Sequence, residues 1–241
     1  MTPVRHVVVA VPARDEELVL DRCLGAIGRA VLDLGRRRPG VTVEVVVALD
    51  RCRDGSALVA AAHPVRVVAL DAGAVGVARH RAIVAGRRGA LAVGAGPAAT
   101  WLALTDADTE VPAHWLTEQL RLADAGHDLV VGTVEPRPAP VPGLVAAWRA
   151  RHVLAEGHPH VHGANLGVRA DAYEEAGGFP PWRTHEDVEL VRRVRASGRP
   201  WVATDRTRVR TSARLVGRAP GGFAAHLAAL VTTTGTDVEP A

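Results

Sequence analysis

The chain has no lysine; all 29 of its basic residues are arginine. Arginine stays protonated throughout the accessible pH range, so a pI of 9.6 overstates the basicity of a chain whose formal net charge is +3. The basic clusters at residues 36–38 and 192–193 lack interleaved aromatics, which counts against nucleic acid as a partner. They suit a solvated face first, and an anionic lipid surface or phosphorylated substrate second, so peripheral membrane contact stays open. Aromatics make up only 3% of the chain. Ala, Val and Leu must therefore fill the core. The two cysteines, Cys23 and Cys52, form no CxxC or Cys/His spacing, which gives no zinc signature. No window approaches 18 uninterrupted apolar residues, as a membrane span requires. The opening MTPVRHVVVAVP carries no basic-then-apolar leader, and the expected setting is cytoplasmic and reducing.

What is present is a chain of 241 residues, 48% hydrophobic, enough for a substantial core. Residues 7–11, 43–49, 65–70, 101–104 and 129–134 read as apolar strands. Helical patterns lie between them: a stripe of Leu18, Leu20, Leu24, Ile27, Val31 and Leu34, then segments near 56–62, 77–90 and 112–125. The alternation predicts an α/β fold, a largely parallel sheet with helices on both faces. Residues 91–99 give little signal. The second half is less regular, with helices expected at 142–156, 171–176, 184–197 and 220–230, and strands at 164–169 and 201–210. Thr184 reads as an N-cap, with Asp187 three residues on.

Ligands of such sheets bind across the carboxyl ends of the strands. Here those ends carry Glu16, Asp50, Asp71, and Asp106 with Asp108. Acid-X-acid at the tip of a buried strand suits a hard divalent cation such as Mg²⁺ or Mn²⁺, which takes oxygen ligands and bridges to substrate phosphates. Taken alone, the pair reads as a polar cap on a strand-to-helix turn. The loop after the first strand, VPARDEE, has no glycine. That argues against a nucleotidyltransferase, and the missing GxGxxG argues against an NAD-binding dehydrogenase.

Six segments in order resemble glycosyltransferases of family 2, which have the GT-A fold. They are VPARDEE (11–17), ALDRCRDGS (48–56), DAGAVGVARHRA (71–82), LTDADTEVPAHWL (104–116), HGANLGVRADAYEEAGGF (162–179) and HEDVELVRRVRASG (185–198). The resemblance implies one GT-A domain over residues 1–231, its mostly parallel mixed sheet flanked by helices. A donor-binding half would run to about 135, an acceptor half from 136, and a flexible tail from 232 to 241. It implies an inverting, non-processive transfer of a sugar from a UDP- or GDP-sugar to an acceptor hydroxyl, assisted by Mg²⁺ or Mn²⁺. The family's QxxRW signature of processive members is absent. The other reading is a nucleotide- or sugar-binding protein, a degenerate transferase without catalysis.

The implied site follows residue by residue. Asp187, or its neighbour Glu186, takes the acceptor proton; helix capping is the plain alternative for Asp187. Pro12, Ala13, Arg14, Glu16, Asp50, Arg79, Asp106 and Asp108 meet the donor, and Asp108 with Asp106 holds the ion. Arg79 either reaches the base or diphosphate or pairs with Asp71 as structural glue. Asp54 caps its helix. His162, Gly163 and Asn165 lie on the acceptor side, where GxNxxxR could also be an Asn turn. His158, His160 and His162 line an acceptor loop or, less simply, hold a metal. One departure stands out: relatives often take a further ligand, commonly His, near the last strand, and residues 208–218 contain none. Either Asp108 holds the ion with water and phosphates alone, or Arg210 and Arg214 bind the diphosphate.

Overall fold

In the computed structural model, residues 2–137, 141–217 and 222–234 are described. The first half alternates as the apolar runs predict: β1 (His6–Ala13), α1 (Leu20–Arg37), β2 (Thr42–Asp50), α2 (Ser56–Ala61), β3 (Arg66–Leu70), α3 (Val75–Ala92) and β4 (Thr100–Leu104). Next come β5 (Thr109–Glu110), α4 (Trp115–Asp124), β6 (Leu129–Pro136), α5 (Leu144–Arg151), β7 (Leu166–Arg169), α6 (Ala170–Glu175), α7 (Glu186–Ala196), β8 (Trp201–Thr211) and α8 (Phe223–Thr234). One sheet takes them all in the order β3-β2-β1-β4-β7-β6-β8-β5. β1 pairs parallel with β2 and β4, and β2 with β3. β7 enters antiparallel between β4 and β6, which makes the sheet mixed.

β1 shows why a continuous apolar run suits the centre. Val7, Val9 and Val11 pack under α1 and α4 with Leu20, Ile27 and Trp115. Val8 and Ala10 face the opposite side with Ala82, Ile83 and Leu190. Successive side chains point to opposite faces, so a strand covered by helices on both sides must be apolar at every position.

Several boundaries differ from expectation. Leu18 is exposed and falls before α1, so the buried stripe starts at Leu20. α3 runs to Ala92 and absorbs part of the Gly/Ala-rich stretch, where alanine's helix propensity acts without periodicity. α5 is shorter than 142–156. α7 starts at Glu186 after His185, whose φ of 63° is left-handed and which makes no side-chain cap. The expected Thr184 cap with Asp187 as its partner is thus wrong, because the chain turns sharply at His185 and Asp187 bonds elsewhere. α8 extends to Thr234; residues 235–241 of the expected tail, and the start of its helix at 220–221, lie outside the described residues. Among the described residues, no helix is long and apolar enough to cross a membrane.

Candidate active site

The carboxyl ends of β1, β2 and β4 open into a cavity of about 650 Å³, walled on its other sides by the loop before β7, the start of α7, and α5 with α8. That volume suits a small-molecule site. Every expected site residue except Asn165 lines it: Pro12, Ala13, Arg14, Glu16, Asp50, Arg79, Asp106, Asp108, His162, Gly163, Glu186 and Asp187.

Arg79 is the hub. It projects from α3, is buried, and donates to Asp106 Oδ1 at 2.5 Å and to the Gly163 carbonyl at 2.6 Å. Its Nε lies 3.1 Å from Glu186 Oε1. One guanidinium thus ties the acid-X-acid tip of β4 to the acid pair of α7. Its five donors in a rigid fork make that three-way reach possible. The alternative pairing with Asp71 is overturned, since Arg79 is engaged here and Asp71 is held by Arg51. Gly163 is required by this packing: a Cβ there would lie 2.4 Å from Arg79 Nη2.

The two α7 acids differ. Glu186 is buried, and burial pushes its carboxyl up against the opposing pull of Arg79. Asp187 is half-buried. Its Oδ2 accepts the Gly163 N–H at 2.6 Å and its Oδ1 the Val188 N–H at 2.8 Å, which fixes the carboxylate at the cavity wall.

Asp108 sits deeper than Asp106. Burial pushes its carboxyl up to about 6, against the guanidinium of Arg214. Arg214 follows β8, lies 3.1 Å from Asp108 Oδ2, and forks onto both oxygens of Glu16 at 2.6 and 2.7 Å. The last-strand region thus reaches Asp108 with an arginine and, from β8 itself, with the Thr211 hydroxyl, which donates to Asp108 Oδ1 at 3.2 Å. Arg210 does not join it; it is exposed on β8 and faces Glu135 at 3.7 Å. Asp50 spends its carboxylate on the backbone N–H groups of Ala72, Gly73 and Ala74, shaping the loop that launches α3. Asp54 does not cap α2, whose N-cap is Gly55; its Oδ1 accepts the Ser56 N–H at 3.0 Å and hydroxyl at 2.6 Å, and its Oδ2 the Glu17 N–H at 3.0 Å, which ties the loops after β1 and β2.

Asp106 and Asp108 fit a hard divalent cation by donor type. They present oxygen atoms only, and one Asp106 oxygen is free of Arg79. A second group, Asp15, Cys52 and Asp54, has ligand atoms within 4.8 Å of one another but lies outside the cavity lining.

Asn165 is a correction. It is buried outside the cavity: its Oδ1 accepts the Trp115 indole N–H at 2.9 Å, and its amide donates to the Thr133 and Thr207 carbonyls, each at 2.8 Å. It brackets α4, β6 and β8, and Gly132 leaves room for it. Arg169 of the same motif likewise pairs with Asp128 at 2.9 Å. Of the alternating histidines, His158 turns into the fold and bonds the Val131 carbonyl, so the three do not converge on one point. Sequence reasoning missed Trp148, His152, Phe223 and His226 on the cavity wall. Trp148 comes from α5, His152 from just past its end, and Phe223 and His226 from α8, remote in the chain; Trp148 and Phe223 share one packing cluster.

A family model for glycosyl transferase family 2 matches residues 8–177. The chain belongs to glycosyl transferase family 2. A comparison with curated proteins gives no match. Among solved structures, this family 2 chain is similar to Staphylococcus aureus TarS 1–349, with 16% identity and a TM-score of 0.59, covering 87% of this chain and 61% of that one. It therefore spans less than two thirds of that relative. It is also similar to the mannosyltransferase PcManGT of Pyrobaculum calidifontis, solved with GDP-Man and Mn²⁺, at 18% identity and a TM-score of 0.54, covering 100% and 77%. A third is glucosyl-3-phosphoglycerate synthase of Mycobacterium tuberculosis, solved with Mn²⁺, UDP-Glc and phosphoglyceric acid, at 20% identity and a TM-score of 0.51, covering 83% and 69%. These likenesses establish the GT-A fold expected from the six motifs, a mostly parallel mixed sheet flanked by helices.

Proposed function

We propose that the chain transfers a sugar from a UDP- or GDP-sugar to an acceptor hydroxyl with inversion, and that residues 1–231 act as one unit with donor and acceptor halves. The observation that carries this is the Arg79 bridge, which sets Asp106 of the strand tip and Glu186 of the acid pair on one guanidinium. An enzyme that joins two substrates at one carbon needs both subsites at fixed separation.

Asp187 is the general base. Held by two backbone N–H groups and facing the cavity, its carboxylate takes the acceptor O–H proton as the oxygen bonds to the anomeric carbon. The bond from that carbon to the diphosphate oxygen breaks, and the nucleoside diphosphate leaves with the electron pair. Glu186, buried against Arg79, positions rather than titrates. Arg214 and Arg14 place positive charge where the diphosphate departs. Asp108, with Asp106, would hold Mg²⁺ or Mn²⁺, which when bound neutralises diphosphate charge. The relatives solved with Mn²⁺ and nucleotide sugars support this reading.

The test uses UDP and GDP with Mn²⁺ in a thermal-shift assay, since a ligand that binds the native state raises Tm. One nucleotide should stabilise the protein, and Asp187→Asn should keep that shift while losing transfer. Full activity in Asp187→Asn moves the base elsewhere. No nucleotide binding, and no nucleotide release from any sugar donor, sinks the enzyme reading and leaves a non-catalytic protein.

A further inference from the structure

Among the described residues, four arginines line the cavity. Three already have a place. Arg79 joins Asp106 to Glu186, Arg214 joins Glu16 to Asp108, and Arg14 follows β1 on the donor side. The fourth, Arg183, stands three residues before α7 and four before Asp187. It is exposed, and among the described residues it has neither an ion pair nor a hydrogen bond.

That is not for want of acids nearby in the chain, since all three in the first turn of α7 are engaged elsewhere. Glu186 faces Arg79 at 3.1 Å. Asp187 accepts the Gly163 and Val188 N–H groups. Glu189 takes both Arg192 and Arg193, each at 2.7 Å. Thr184 also lines the cavity. Its hydroxyl caps nothing and, among the described residues, has no hydrogen-bond partner.

The backbone beneath Arg183 is anchored on both sides. The Trp182 carbonyl accepts the Gly76 N–H at 3.1 Å, and the Trp182 N–H donates to the Pro180 carbonyl at 2.8 Å. Two residues past Arg183, the left-handed His185 accepts the Glu189 N–H at 3.1 Å. A mobile guanidinium therefore swings from a fixed base, in the same wall as the carboxylate that takes the proton. A guanidinium has donors and no acceptor, and an oxyanion satisfies it best through paired N–H···O bonds. A cleft strengthens such a contact relative to open solvent. Asp187 repels an anion placed against itself, so the hydroxyl that it deprotonates and the oxyanion must be separate groups of one acceptor.

We propose that Arg183, with the Thr184 hydroxyl, recognises the acceptor, and that the acceptor is a hydroxylated oxyanion, a phosphate ester or a carboxylate. Its negative group meets Arg183 while its hydroxyl meets Asp187. The inference rests on the transferase reading and narrows its acceptor class.

The test is calorimetry with UDP or GDP at saturation, which keeps anionic probes off Arg14 and Arg214. Three matched probes are used: glycerol 3-phosphate, D-glycerate and glycerol. At least one anionic probe should bind about tenfold more tightly than glycerol, and which one does separates phosphate from carboxylate. Arg183→Ala should abolish that preference while leaving nucleotide affinity unchanged. Its Tm should stay at the wild-type value, because the side chain is exposed and unpaired, so lost recognition is distinguished from lost fold. Arg183→Lys keeps the charge without the fork and should retain part of the preference. Glycerol binding as well as the anions, failure of both anionic probes, or a preference that survives Arg183→Ala overturns the proposal. Absence of nucleotide binding, with anion preference still dependent on Arg183, instead overturns the transferase reading and leaves the anion site standing.

Discussion

Replacing Arg79 with methionine tests the hub directly. The substitution keeps most of the volume but removes the cation and its fork. Glu186, buried in the cavity wall, then has no counter-charge, and Asp106 loses its 2.5 Å contact. The Gly163 carbonyl loses a 2.6 Å donor in a buried position. Breaking a buried pair by removing one partner costs about 3–5 kcal/mol. An orphaned buried acceptor costs about 1–3 kcal/mol more in isolation, although terms within one network do not add. Arg79→Met should therefore lose at least about 3 kcal/mol in urea unfolding at pH 7, a large share of the ~5–15 kcal/mol that holds a domain folded. Adding Glu186→Gln removes the stranded charge and should recover at least about 1 kcal/mol. The single variant's deficit should also shrink as pH falls. Burial already raises the Glu186 carboxyl, losing Arg79 raises it further, and protonation relieves the stranded charge. A loss under about 1 kcal/mol, or a double variant no more stable than the single, would falsify the hub.

Gly76 opens α3, and a Cβ there would lie 2.0 Å from the Pro180 carbonyl and 3.2 Å from Glu186 Cβ. Gly76→Ala should cost about 1–3 kcal/mol by urea midpoint, because backbone has to give way, and transfer should suffer more than nucleotide binding. Arg214→Ala leaves Glu16 and Asp108 without their shared cation. Calorimetry should show nucleoside diphosphate binding weakened about tenfold and made more dependent on Mn²⁺; an unchanged Kd would remove Arg214 from the donor site. Stability should fall with acid from the histidine wall. The His162 ring titrates at about 3 in the folded protein against 6.5 unfolded, so the unfolded chain binds the extra proton between those values. This contribution is complete above about 6.5 and is lost as pH falls toward 3, on the order of 1–2 kcal/mol between pH 7 and pH 5. His162→Phe should flatten that stretch of the stability profile.

Local chemistry made much of the molecule legible. Apolar runs such as residues 7–11 specify buried strands, because a strand covered on both faces has no position left for a polar side chain. Acids at the ends of β1, β2 and β4 mark the rim where such sheets bind ligands, and nearly all the expected residues do line one cavity. What sequence spacing could not supply is which partner each polar group takes. Asn165 reads as a sugar contact in a GxNxxxR pattern, yet it sits where three elements need a bracket. Thr184 reads as a cap, yet the left-handed turn at His185 moves the helix start past it.

The sequence by itself determined the alternating α/β frame, the acidic rim and the family motifs, since these depend on residue type and periodicity within short windows. Only the tertiary structure decided that Arg79 bridges Asp106 to Glu186, that Arg214 locks Glu16 and approaches Asp108, and that Trp148 of α5 meets Phe223 of α8. Glu16 and Arg214 stand nearly 200 residues apart in the chain, with |i−j| of 198. No local pattern carries information about such pairs, because the reach of a guanidinium and the packing of two distant helices exist only once the sheet has brought their elements together.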